Sequence, residues 1–142
     1  MTTHAGLTLR ELRARAVQVP LRLPLQTSGG TVRVAPLALI DLVTEEGVTG
    51  RAYLFCYTPL ALKPGVQLLE NLSAFLKGDA VAPLDLDQKL QRTFRLLGAT
   101  GLTAMAMAGI DMAAWDALAS AAGLPLARLL GGTLRRVPAY NS

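Results

Sequence analysis

The sequence predicts an α+β fold: a three-stranded antiparallel β-meander followed by a bundle of three to four helices. Two observations carry this. Up to Phe55 the apolar residues alternate or run together over strand lengths, whereas beyond Pro59 they recur at helical spacing. Strands first and helices afterwards is the order of an α+β domain. The length of 142 residues suits one domain, and a chain of that size buries roughly 68–70% of its unfolded surface.

The first strand is read from Leu7 to Val19, where Val17 and Val19 share a face with Arg13 and Arg15, the mixed pattern of a half-exposed strand. Pro20 and Pro24 are read as forbidding continuation of the ladder, and Gln26–Thr31, with its turn formers and adjacent Gly29 and Gly30, as a mobile loop. Ala35–Val43 is a continuous apolar run, Glu45-Glu46-Gly47 a short turn, and Val48–Phe55 the returning strand. Val66, Leu69, Leu72, Phe75 and Leu76 then mark a helix opened by Pro64-Gly65 and ended by Gly78. Asp85 reads as an N-cap with Gln88 as capping-box partner, starting a helix that runs to Leu97 and stops at Gly98. Leu102–Ala122 is a long alanine-rich helix ended by Gly123 and Pro125, and Leu126–Leu130 a short last one before Gly131-Gly132.

Composition adds a constraint on the surface. Hydrophobic residues make up 51% and charged ones 17%, and the mean hydropathy is +0.37; ordinary domains carry about 25% charge. The apolar excess excludes a disordered chain and implies apolar surface meant for cover by something else. The net charge of +4 raises nucleic acid as a partner, but the arginines are scattered and aromatics reach only 5%, too few for a stacking platform. No nucleic-acid role is expected. A membrane role is not expected either, because Asp111 and Asp116 interrupt the long apolar helix and each costs about 2.5–3.5 kcal/mol at a bilayer centre. A helix so rich in Ala and Gly reads instead as closely packed within protein. With Cys56 alone, no internal disulfide or cysteine metal site is possible, and no signal peptide opens the sequence, so a cytoplasmic location is expected.

The chain shows no catalytic constellation of its own. His4 stands in a polar N-terminal stretch, Cys56 reads as a small buried hydrophobe, and Gly29-Gly30 lacks the pattern of a phosphate loop. Asp111 and Asp116 are five residues apart, about 140° around a helix, so they do not form one carboxylate pair. Each reads as an acceptor of hydrogen bonds from backbone or from a neighbouring Arg.

Two stretches carry a family resemblance. Residues 31–63 and residues 101–131 resemble the mandelate racemase and muconate lactonizing group of the enolase superfamily. In the second stretch the Ala-Gly-Ile-Asp…Ala-Trp-Asp arrangement is met as Ala108, Gly109, Ile110, Asp111, Ala114, Trp115 and Asp116. Leu129–Gly132 and Val137–Tyr140 fit the same group's passage into its barrel. The resemblance implies an N-terminal capping domain over residues 1–134, with residues 135–142 opening the first strand of a (β/α) barrel that lies outside this chain. It also implies a Mg²⁺-dependent parent enzyme, a homo-oligomer that abstracts the α-proton of a 2-hydroxy acid through an enediolate. The metal ligands and bases would sit on the barrel, so this chain alone is expected to bind no metal and not to catalyse.

The resemblance assigns this chain a part in substrate binding. Two loops, residues 21–34 and 53–59, would close over the substrate, with Leu25 and Val32 of the first and Phe55 and Tyr57 of the second forming an apolar cavity. Ser142 would hydrogen-bond the substrate carboxylate from the barrel side. A lid of Leu, Val, Phe and Tyr would leave the hydroxyls of a sugar acid unpaired, at about 1–3 kcal/mol each. The expected substrate is therefore an aromatic or otherwise apolar 2-hydroxy acid and the expected reaction racemisation. The alternatives are a sugar-acid dehydratase cap and a standalone interaction module derived from such a cap.

Overall fold

The computed structural model describes residues 6–139. Three antiparallel strands, β1 (Leu9–Thr27), β2 (Gly30–Thr44) and β3 (Thr49–Phe55), lie in the order β1-β2-β3 and are followed by α1 (Pro59–Leu76), α2 (Pro83–Thr93), α3 (Gly101–Ala122) and α4 (Leu126–Leu129). This is the meander and helical bundle that the sequence pattern predicts.

The strands depart from expectation at one end. Pro20 does not stop β1, which runs on to Thr27 and pairs with a β2 that starts at Gly30. Residues 21–34, read as a loop, are thus a β-hairpin arm closed by Ser28-Gly29. The reason is positional: β1 is an edge strand, so its missing proline N–H groups break no inner ladder. The register shift absorbs the rest, since Pro20 pairs with Val34 and Leu25 with Val32, leaving four residues of β1 opposite Arg33 alone. At the tip, the Thr27 hydroxyl donates to the Gly30 carbonyl at 2.7 Å and the Thr31 hydroxyl to Gln26 Oε1 at 2.9 Å.

Two helix starts are also corrected, for a shared reason. α1 begins at Pro59, not at Pro64-Gly65; the Thr58 side chain caps it by accepting the Leu60 N–H, and Pro64 lies inside the helix. α2 begins at Pro83 with Asp85 in its first turn, so Asp85 is not the N-cap, and it ends at Thr93 short of Leu97. In both helices a proline occupies the first turn, where its missing N–H would have had no intrahelical partner. α3 follows expectation closely. Thr100 and Thr103 form its reciprocal N-terminal cap, and Gly123 ends it in the left-handed region at φ 63°. α4 stops one residue earlier than expected, at Leu129.

One sheet face is covered by α1 and α3. Leu9, Leu12, Ile40, Leu42 and Leu54 from the strands meet Leu69, Leu72, Leu76 and Ile110 from the helices, all buried. The small residues of α3 set its distance from the sheet. Gly50 of β3 lies against the backbone of Ala113 and Ala117, and Gly109 of α3 lies against Ile40 and Leu54. The Ala and Gly content of α3 is therefore a packing requirement, as the sequence suggested. Among the described residues no helix is long and apolar enough to cross a membrane.

Candidate functional site

β2 outlasts β3. The last β2–β3 partners are Leu37 and Phe55, and the Cys56 N–H still reaches the Pro36 carbonyl at 2.8 Å. Beyond that point the chain turns through Tyr57 and Thr58 into α1, while β2 continues in the opposite direction into the arm. Where the arm and this turn stand side by side they form a groove of about 310 Å³ lined by Thr31, Val32, Arg33, Val34, Tyr57, Thr58 and Pro59.

Tyr57 takes an unusual backbone conformation to stand there. Its φ of 58° makes it the sole non-glycine residue with positive φ among those described, a state that costs an L-residue roughly 1–2 kcal/mol. Such strain persists where the surroundings over-determine it. Here the turn is fixed on both sides, by the Cys56 N–H on β2 and by the Thr58 N-cap on α1. Tyr57 is 75% exposed, and its ring meets Phe55 edge to face, with centroids 4.9 Å apart.

Of the residues singled out from the sequence, Val32 and Tyr57 come together on the groove. Phe55 does not line it and instead supports the Tyr57 ring from β3. Leu25 pairs with Val32 across the arm, 39% exposed, and also lies off the groove walls. Ser142 and His4 lie outside the described residues. Thr31, Arg33, Val34, Thr58 and Pro59 belong to the two expected loops, 21–34 and 53–59, without being singled out there; the adjoining Thr58-Pro59 pair, an N-cap followed by proline, is the local signal that places the turn.

The polar part of the groove is rich in donors. Among the described residues Arg33 has no carboxylate within ion-pair reach, and the ion pairs there involve Arg10, Arg13, Arg51 and Lys89. Thr58 Oγ1 accepts the Leu60 N–H at 3.3 Å, so its own hydroxyl proton is free to donate. No Asp or Glu lines the groove.

The remaining acidic and thiol groups serve structure. Asp116 Oδ2 accepts the backbone N–H of Arg51 at 2.8 Å, tying α3 to β3 in the way expected of it. Asp111 faces a cleft of about 430 Å³ between α2 and α3 that also holds Asp87 and Trp115. Desolvation pushes its carboxyl up from the ordinary value, with Trp115 pulling the other way and Asp87 adding to the rise. Cys56 is buried, and desolvation pushes its thiol up, away from reactivity. Among the described residues no three His, Cys, Asp or Glu side chains gather as metal ligands. A separate apolar cleft of about 380 Å³ is lined by Leu7, Trp115, Leu118, Ala121, Ala122 and Leu129, with Gly6 at its edge.

Comparison with known proteins gives these features a context. A family model described as the mandelate racemase / muconate lactonizing enzyme N-terminal domain matches residues 9–131. An enolase from Bradyrhizobium, solved in complex with magnesium and mandelic acid, is 48% identical with a TM-score of 0.90, covering 99% of this chain and 38% of its own. An enolase from the alpha proteobacterium bal199, solved with bound magnesium, is 46% identical with a TM-score of 0.85, over 89% of this chain and 35% of its own. A dipeptide epimerase from Enterococcus faecalis V583, complexed with magnesium and L-Leu-L-Tyr, is 25% identical with a TM-score of 0.71, over 88% of this chain and 35% of its own. The chain therefore spans little more than a third of the length of these proteins.

Proposed function

Because this chain belongs to the mandelate racemase / muconate lactonizing enzyme N-terminal domain family, we propose that it is the capping and substrate-recognition part of a magnesium-dependent racemase. The substrate is an aromatic or otherwise apolar 2-hydroxy acid, and the reaction inverts the carbon next to its carboxylate by removing and returning the α-proton. The observation that carries this reading is the convergence of the β1–β2 arm and the Tyr57 turn on one groove. Val32, Val34, Pro59 and the Tyr57 ring offer it an apolar wall suited to an aromatic group. The 48% identical relative that holds magnesium and mandelic acid supports the choice of substrate class.

In this reading the chain recognises and shields, and does not move the proton. The groove encloses the end of the substrate remote from the reacting carbon, and binding energy gained there holds that carbon in place elsewhere. In this reading the magnesium ligands and the proton-transferring side chains belong to a barrel domain outside this chain. The apolar cleft beside Trp115 and Leu118 supports cover by such a barrel. The outward sheet face, with Val19 and Tyr53 exposed, supports assembly of the full-length protein into a homo-oligomer. A single unpaired, buried Cys56 suits a cytoplasmic setting.

The test is exchange of the α-proton of mandelate in D₂O, catalysed by the full-length protein with and without magnesium. Magnesium-dependent exchange with loss of optical activity is expected. Exchange that needs no metal, or turnover confined to polyhydroxylated sugar acids, contradicts the proposal.

A further inference from the structure

Resting on that reading, we propose that the groove selects 2-hydroxy acids whose aromatic ring carries a second anionic group, held by the Arg33 guanidinium. Arg33 lines the groove as a cation, and no carboxylate lines it to match. Arg33 presents five N–H donors and has no ion-pair partner among the described residues, the Thr58 hydroxyl proton is uncommitted, and no Asp or Glu lines the walls. The Thr31 hydroxyl already donates to Gln26, which leaves Arg33 on the arm and the Tyr57 and Thr58 hydroxyls in the turn as uncommitted donors.

The fold gives Arg33 this position. It is the lone β2 residue between the Val32–Leu25 and Val34–Pro20 pairs, opposite four residues of β1, so it has no direct cross-strand partner to occupy it. Val32, Val34, Pro59 and Tyr57 line the same groove edge as Arg33 and offer apolar surface for an aromatic ring. A planar guanidinium at that edge suits a ring carboxylate, which it can grip with two parallel hydrogen bonds. A purely apolar ring would use the wall and leave the donors in water. An acidic substituent uses both.

The experiment measures binding and turnover separately in the full-length protein. Binding of terephthalate is compared with that of benzoate by calorimetry, in the wild type and in the Arg33→Met and Arg33→Lys variants. A charge-assisted bidentate contact corresponds to roughly a 10- to 100-fold preference for terephthalate. That preference is expected to vanish in Arg33→Met, survive in part in Arg33→Lys, and fall with added salt. Arg33 is exposed, so both variants are expected to keep the wild-type unfolding midpoint. Equal terephthalate-to-benzoate ratios in the wild type and Arg33→Met overturn the proposal, as does a wild type without preference. Turnover of 4-carboxymandelate and mandelate is followed in parallel: Arg33→Met should lower kcat/KM for the former about 10-fold or more beyond any fall for the latter. Loss of the binding preference in Arg33→Met with no racemisation of either acid would sink the racemase reading and leave the anion site standing.

Discussion

Gly50 is the position where a single methyl group tests the packing most severely. A Cβ there would run into the carbonyl oxygen of Ala113 and stand 2.6 Å from the Ala117 nitrogen and 2.8 Å from the Ala117 Cβ. Two of these three neighbours are helix backbone, which cannot rotate away, so β3 and α3 must separate. Overpacking of this kind costs about 1–3 kcal/mol, and more where backbone must move; removing a strand glycine returns about 0.5–1 kcal/mol. Gly50→Ala is therefore expected to destabilise the chain by about 2 kcal/mol or more, roughly 8 °C in Tm for a domain of this size. Gly109→Ala is the matched control. Its Cβ would meet Ile40 Cδ1 at 2.5 Å and Leu54 Cδ1 at 3.1 Å, both ends of side chains that can turn aside. The helix gains about 1 kcal/mol from replacing glycine with alanine, so the net change is expected within about 1 kcal/mol of zero. Urea unfolding of the two variants beside the wild type decides. A Gly50→Ala variant within about 0.5 kcal/mol of the wild type, or less affected than Gly109→Ala, would refute the close approach of β3 to α3.

Two further substitutions address the aspartates of α3. Asp116→Ala removes the acceptor of the Arg51 N–H, an exposed bond that water replaces in part, and is expected to cost about 0.5–1.5 kcal/mol, with Asp116→Asn, which keeps an acceptor, costing roughly half as much; the urea midpoint at unchanged m-value reads both. Asp111 has a raised carboxyl pKa, so the folded state holds its proton more tightly than the unfolded state does. Its contribution is full below the ordinary value of 3.8 and is lost as pH rises through the raised one. Asp111→Asn is expected to leave stability unchanged near pH 3 and to raise it at pH 7, and a loss at pH 7 would contradict burial as the dominant cause.

The architecture was legible in the sequence because strand and helix periodicities change over at one place, between Phe55 and Pro59. The misread stretches share a feature, which is proline. Pro20 and Pro24 read as strand breakers, yet on an edge strand with a three-residue register shift they are carried without loss of an inner ladder. Pro59 and Pro83 open their helices, whereas the local pattern points to starts at Pro64-Gly65 and Asp85. At the site, Val32 and Tyr57 were singled out from the family resemblance and do share a groove. Leu25 and Phe55 were grouped with them by chain position, but pairing across the arm and stacking on Tyr57 take them off its walls. Arg33 was hidden for a physical reason. Its place follows from a register shift in another strand, which no local pattern around Arg33 records.

The central claim is that the groove between the arm and the Tyr57 turn receives the ring of the substrate. The direct measurement is kcat/KM of the full-length protein for mandelate and for lactate, in the wild type and in Tyr57→Ala. Loss of an aromatic contact and its buried area is worth roughly 1.5–3 kcal/mol, so kcat/KM for mandelate should fall about 10- to 100-fold. Lactate, which has no ring to place in the groove, should change less than about 3-fold. An equal fall for both acids would mean that Tyr57 only supports the turn at the end of β3, and would contradict the account.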